Sequence, residues 1–304
     1  MRTDIHPRVS VCQFSTFRWS FNEDVVRYAT HGFDSIGVWR RKIEDFGTVA
    51  AIDLLYEKKM SVSSVHWAGG FTGDGQTFSD AIEDAIESIQ LASQINAGCL
   101  IIHPGSRNGH TTTHANRLFR SALGTLVPIA SDYGVKLALE PMVNKQASAW
   151  TFMERFRDSI EIMNMFPAEN LGWVFDTYHF GFDADLFDRL DQIVDRLELV
   201  QLADRNLLIE STPKTRQGND SHRLHLGTGQ VPIEAWLSKL QRLGYSGGYE
   251  LEVHGSMVDG IDYHSMLDTT ADYLSRTNIS EFLQAQPNLT ESRPRLEVNQ
   301  RLFD

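Results

Sequence analysis

Residues 136–141 read KLALEP and residues 171–176 read LGWVFD. Each is a short apolar run without polar alternation that stops on or next to a carboxylate, the pattern of a strand covered on both faces. Runs of the same kind lie on either side: RVSVCQF (8–14), DSIGVW (34–39), SVSSVHW (61–67) and CLIIHPG (99–105) before them, LELVQLA (197–203) and GYELEV (248–253) after. The intervening stretches have helical spacing. Ile82, Ala85, Ile86 and Ile89, or Ile233, Trp236, Leu237 and Leu240, place apolar groups at i, i+3, i+4 and i+7. Alternating strand and helix predicts a parallel sheet, and eight such units predict a closed (β/α)8 TIM barrel. Without a linker or an abrupt change of composition, residues 1–279 read as one barrel domain. The polar stretch 280–304 reads as a C-terminal tail that wraps the barrel or pairs with a neighbouring copy.

The 304 residues are 41% hydrophobic and carry 40 acidic against 28 basic side chains, a formal charge of −12. That balance repels a phosphate backbone and argues against nucleic acid as a partner. Cys12 and Cys99, the two cysteines, fall in strand-like contexts and read as buried thiols rather than a disulfide framework, which suits a reducing compartment. The first residues lack an apolar signal region and no apolar run approaches a membrane span, so the expected location is the cytoplasm, with no membrane partner.

In a barrel, inward side chains at the C-terminal strand ends converge on one pocket. Here those ends carry His66, His103, Glu140, Asp176 with His179 three residues on, Gln201, and Glu250 with Glu252. Burying several carboxylates together is unfavourable unless a cation or shared protons compensate. A mainly oxygen-lined set of this kind suits one divalent ion, Mn²⁺, Mg²⁺ or Co²⁺, with Zn²⁺ as the alternative. Such an ion polarises neighbouring oxygens and stabilises a developing enediolate. Taken singly, each acid is as well explained as a helix cap or an ion-pair partner. His66 and His103 are equally readable as satisfied core histidines. His31 reads as the end of a helix, and His6, His110, His114 and His264 as loop or surface residues. LGTG (226–229) looks like a phosphate turn but reads better as a structural one. Trp19, Trp39, Trp67 and Trp150 stand at or just past strand ends, where they wall a pocket or cap the barrel. Residues 204–231 form a connection far longer than the usual two to about six residues, and a locally basic one, with Arg205, Lys214, Arg216, His222, Arg223 and His225.

On IIHPG (101–105), LALEP (137–141), FDTYH (175–179), VQLAD (200–204), RLHLGTG (223–229) and LGYSGGYELEV (243–253), the chain resembles the sugar phosphate isomerase/epimerase branch of the xylose-isomerase-like TIM barrel superfamily. The resemblance spans about residues 8–275. It implies Glu140, Asp176, Gln201 and Glu252, rather than Glu250, as metal ligands. It implies Glu140 and Glu252 as the proton-exchanging pair, and His179 and Arg223 as substrate contacts. From its place at a strand-to-loop exit, His103 joins the expected catalytic set, with His179 beside it as a proton carrier. The strand-end positions of His66, Trp39 and Trp67 place them with Arg223 as expected contacts of a small sugar or polyol substrate.

Two departures stand out: Gln201 where many relatives have His, and Gly37 where many have a glutamate. The activity implied is isomerisation or epimerisation of a ketose, sugar (phosphate) or related polyol carbonyl. Gln201 keeps open a dehydratase of a cyclic polyol ketone such as inosose or 3-dehydroshikimate. A non-catalytic sugar- or protein-binding barrel is the third alternative. The ligands of the superfamily's DNA-repair branch are missing at Gln201 and near Arg223. A homo-oligomer is compatible with the polar tail.

Overall fold

A computed structural model of the chain describes residues 9–73, 75–143, 147, 149–207, 222–254 and 260–276. The expected tail, His6, Lys214 and Arg216 lie outside these residues.

Eight parallel strands close a barrel in sequence order, the eighth pairing with the first. They are β1 (Val9–Cys12), β2 (Ser35–Trp39), β3 (Ser61–Gly69), β4 (Cys99–His103), β5 (Leu137–Leu139), β6 (Leu171–Asp176), β7 (Leu197–Leu202) and β8 (Gly248–Leu251). Around them run α1 (Phe21–Thr30), α2 (Arg40–Phe46), α3 (Thr48–Lys58), α4 (Phe78–Gln94), α5 (Thr112–Asp132), α6 (Phe156–Met163), α7 (Thr177–Phe180), α8 (Ala184–Arg189), α9 (Ile233–Arg242) and α10 (Tyr263–Arg276). Both amphipathic stretches singled out above are helices, α4 and α9, and their apolar stripes pack on the sheet. Helix starts follow local chemistry. Ser20 with Glu23, and Thr77 with Asp80, form reciprocal capping boxes at α1 and α4.

Side-chain parity separates two cores. Leu100, Ile102, Leu137 and Leu139 join the large cluster between sheet and helices, whereas Cys99, Ile101, Ala138, Val174 and Leu199 form a separate small cluster. Neighbouring strand residues face opposite ways, so the small cluster fills the barrel interior. Two residues further toward the strand C-termini, the same parity gives His103, Glu140, Asp176 and Gln201. The candidate site side chains are thus the next inward layer above an apolar plug.

Some histidines sit differently from the loop or surface positions expected. His264 and His114 are helical, in α10 and α5. His264 Nδ1 lies 2.8 Å from His31 Nε2, and its Nε2 lies 2.7 Å from Arg27 Nη1, because the closure of the barrel brings α1 against α10. His31 itself follows the last residue of α1, as read from the sequence.

Candidate active site

Glu140, Asp176 and His179 each bring one ligand-type atom to within 4.8 Å of the others, all three side chains buried. Glu140 Oε2 is 2.7 Å from His103 Nε2. Asp176 caps α7, its Oδ1 accepting from the Tyr178 amide at 2.8 Å, which aims Oδ2 at the cluster. His179, one turn on, lies 3.7 Å from that Oδ2 through Nε2. Gln201 stands beside Asp176 in the β6–β7 register and is buried. Neither its amide oxygen nor its amide nitrogen has a hydrogen-bond partner among the described residues. Glu252, just past β8, meets His254 Nε2 at 3.3 Å through Oε1, and its Oε2 likewise lacks a partner there.

Arg223 supplies countercharge. Its Nη2 donates to Asp176 Oδ2 at 2.6 Å, Nη1 donates to the Glu252 carbonyl at 3.3 Å, and the guanidinium lies over the Tyr178 ring. Burial by itself would raise the pKa of Glu252, but Arg223 and then His254 reverse this and bring it to about 2. Glu140 goes the other way: burial first, then the charges of Glu252 and Asp176, hold its carboxyl well above the usual range. A buried amide and a buried carboxylate oxygen without partners are unfavourable by roughly 1–3 kcal/mol each. Three carboxylates and an amide oxygen are the donors a hard divalent ion takes, so the side chains present fit such an ion.

One layer deeper, Glu250 is fully engaged. It accepts from Ser63 and Ser64 at 2.7 Å each and from Ser10 at 3.4 Å, and it lies 2.7 Å from His66 Nε2. Burial lowers the His66 pKa, but the Glu250 charge outweighs it and raises it to about 9. Cys12, 3.5 Å from His66 Nε2, is a neutral thiol: burial, then Glu252 and Glu250, push its pKa up. The Cys12, His66 and Glu250 group is therefore a self-satisfied network.

A cavity of about 440 Å³ opens beside this centre, lined by Trp39, His66, Trp67 and Trp150 among others. Arg223 sits in the carboxylate cluster and is not among the cavity's lining residues. Trp19 packs on Tyr263 and His264, outside the cavity. The LGTG segment is a structural turn. Asp204 accepts from the amides of Gly227, Gly229 and Val231 at 2.8–3.1 Å, so the groups a phosphate would need are taken.

Two contributors were not singled out from the sequence. His254 continues the inward parity of Glu250 and Glu252, a signal available in the strand itself. The buried network of Gln13, Thr16, Asp24 and Lys42 under the end of β1 had no such signal, since Asp24 reads as an ordinary first-turn helix acid.

Comparison with known proteins places this geometry. The family profile described as "Xylose isomerase-like TIM barrel" matches residues 25–274. The chain is 28% identical over 149 residues to a ketose 3-epimerase of Arthrobacter globiformis, covering 49% of this chain and 45% of that protein. It is also 28% identical over 210 residues to a probable endonuclease 4 of Pediococcus pentosaceus, covering 64% of this chain and 67% of that protein. The chain spans about half the length of the first curated relatives it matches. Among solved structures, the IOLI protein with a bound zinc atom superposes with a TM-score of 0.75 at 18% identity, covering 89% of this chain and 99% of that one.

Proposed function

The chain belongs to the xylose isomerase-like TIM barrel family, and from that premise we propose that it is a divalent-metal-dependent isomerase or epimerase of a ketose, sugar (phosphate) or related polyol carbonyl. The observation that carries this reading is the buried Gln201 amide and Glu252 Oε2, without partners among the described residues, set among Glu140 and Asp176. These four side chains would hold Mn²⁺, Mg²⁺ or Co²⁺, with Zn²⁺ as the alternative. When bound, the ion supplies Lewis-acid polarisation of the substrate's carbonyl and hydroxyl oxygens.

The protein's own residues divide the proton work. Glu252, ionised through Arg223, is the base that takes the proton from the carbon beside the carbonyl. The electron pair of that C–H bond moves into the carbonyl. Glu140, whose Oε2 meets His103 at 2.7 Å, returns a proton on the other face. Two carboxyl groups from separate strand ends, one on each face of the substrate carbon, can exchange its proton. His179 and Arg223 would hold substrate oxygens, and Trp39 and Trp67 would exclude water. The ketose 3-epimerase likeness supports this assignment. The endonuclease likeness is not carried over, because the net charge of −12 and the Arg223–Asp176 contact do not suit a DNA-binding mouth. A cytoplasmic location fits two buried free thiols. No helix among the described residues is long and apolar enough to cross a membrane.

The test is incubation of Mn²⁺-loaded protein with a ketose panel in D₂O. Solvent deuterium beside the carbonyl of at least one ketose is expected, and its absence across the panel counts against the proposal. Gln201 favours the dehydratase as second reading, which enone absorbance with inosose or 3-dehydroshikimate would reveal. A non-catalytic barrel would carry no stoichiometric metal after chelator-free purification.

A further inference from the structure

The carboxylate centre and the cavity beside it are built from different strands. Glu140, Asp176, Gln201 and Glu252 follow or end β5 to β8, and none of the four lines the cavity. The cavity is walled from β2 and β3, by Trp39, His66 and Trp67, with Trp150 closing it from the segment after β5. The two compartments meet along one seam. His66 lines the cavity while bonding Glu250 beneath the centre, and Trp67 packs at 5.2 Å, tilted by 33°, against His103, which bonds Glu140. The neighbouring 440 Å³ offers room for a further ring beside one that reacts between Glu140 and Glu252.

We propose that this cavity is a subsite for a second sugar ring, so that the substrate is a keto-disaccharide or related glycoside rather than a free monosaccharide, an inference resting on the epimerase reading above. The walls are indoles held by their backbones. Trp67 and Trp150 meet at 5.3 Å and 73°, forming a corner. The Gly105 amide donates to the Trp150 carbonyl at 3.0 Å. The Trp39 amide donates to Gln13 Oε1 at 2.8 Å, and Gln13 is itself fixed by buried Asp24 at 2.7 Å. Such walls are set before a ligand arrives. Trp150 is nevertheless 42% exposed, an indole surface open to a ligand.

The rim is polar. Arg41, Gln76 and Asp84 lie among the indoles. Indole faces for C–H surfaces, with donors and acceptors for hydroxyls, suit a sugar ring better than a hydrocarbon or an aryl group. Both signs of charge are present, and Arg40 is paired to Asp84 at 2.6 Å, so the rim is not built for a phosphate.

Equilibrium binding to the Mn²⁺-loaded protein, by calorimetry, tests this with fructose and psicose against turanose, palatinose and lactulose. At least one keto-disaccharide is expected to bind about tenfold or more tightly than either monosaccharide. Trp150→Ala should remove that difference while leaving fructose affinity within about twofold, and Trp150→Phe should retain part of it. Equal affinities in the wild type, no binding of either class, or equal weakening of both classes in Trp150→Ala would overturn the subsite. Tighter binding of a phenyl glycoside than of every disaccharide would overturn the sugar-ring assignment. Because binding is read without turnover, a retained disaccharide preference with no deuterium exchange sinks the epimerase reading alone, and exchange without preference sinks the subsite alone.

Discussion

Glu250 Oε2 occupies the space a side chain at position 37 would need: a Cβ built on Gly37 would stand 2.2 Å from it. Gly37 is thus a notch for a buried carboxylate that three serines and His66 hold in place. The two sequence features that looked separate, a missing glutamate on β2 and an extra one on β8, are one packing unit.

Gly37→Ala should therefore displace Glu250 and destabilise the fold by about 3 kcal/mol, from overpacking and broken buried hydrogen bonds. Gly124→Ala, in α5 with open space at its Cβ, should be neutral or stabilising by about 1 kcal/mol. Urea denaturation of both variants checks this. Equal effects of the two substitutions would refute the notch.

The same network fixes a pH dependence. Raising the His66 pKa from 6.5 to about 9 means the folded protein holds that proton more tightly than the unfolded chain. The resulting stability is complete below pH 6.5 and is lost as pH climbs through 9, a loss of about 3 kcal/mol. In Glu250→Gln the largest raising influence is gone, and the decline over that window should flatten. Unfolding free energies measured at pH 6.5 and 9 decide it, and parallel declines in the two proteins would contradict the His66–Glu250 pairing.

Arg223 compensates charge at the carboxylate centre. Arg223→Met should destabilise the protein by about 3–5 kcal/mol in chelator, since a buried carboxylate loses its partner. Because the guanidinium holds Asp176 Oδ2 at 2.6 Å, its removal should also tighten Mn²⁺ binding by about tenfold. Thermal unfolding with and without Mn²⁺ reads both effects. An equal Mn²⁺ gain in variant and wild type would show that arginine and ion do not share that oxygen.

The sequence carried the barrel because continuous apolar runs mark strands covered on both faces, and all eight expected runs hold a strand, though β5 shortens to Leu137–Leu139. It carried the inward residues by their place at the strand ends, and the structure adds the parity: His103 follows Ile101, Asp176 follows Val174, and Gln201 follows Leu199. What it could not carry was partnership between distant positions. Nothing local in Gly37, Ser63 or Ser10 announces Glu250, and Asp204 gives no sign that it fills the LGTG turn. The His31–His264 contact depends on barrel closure, which joins residues 233 positions apart. Occupied space and satisfied hydrogen bonds are properties of the assembled barrel.

The most direct test is a crystal structure of Mn²⁺-loaded protein with anomalous data. One ion is expected, with oxygens of Glu140, Asp176, Gln201 and Glu252 at about 2.0–2.6 Å from it. An ion bound instead by Cys12, His66 and Glu250, or no ordered ion among the four oxygen donors, would contradict the proposed centre.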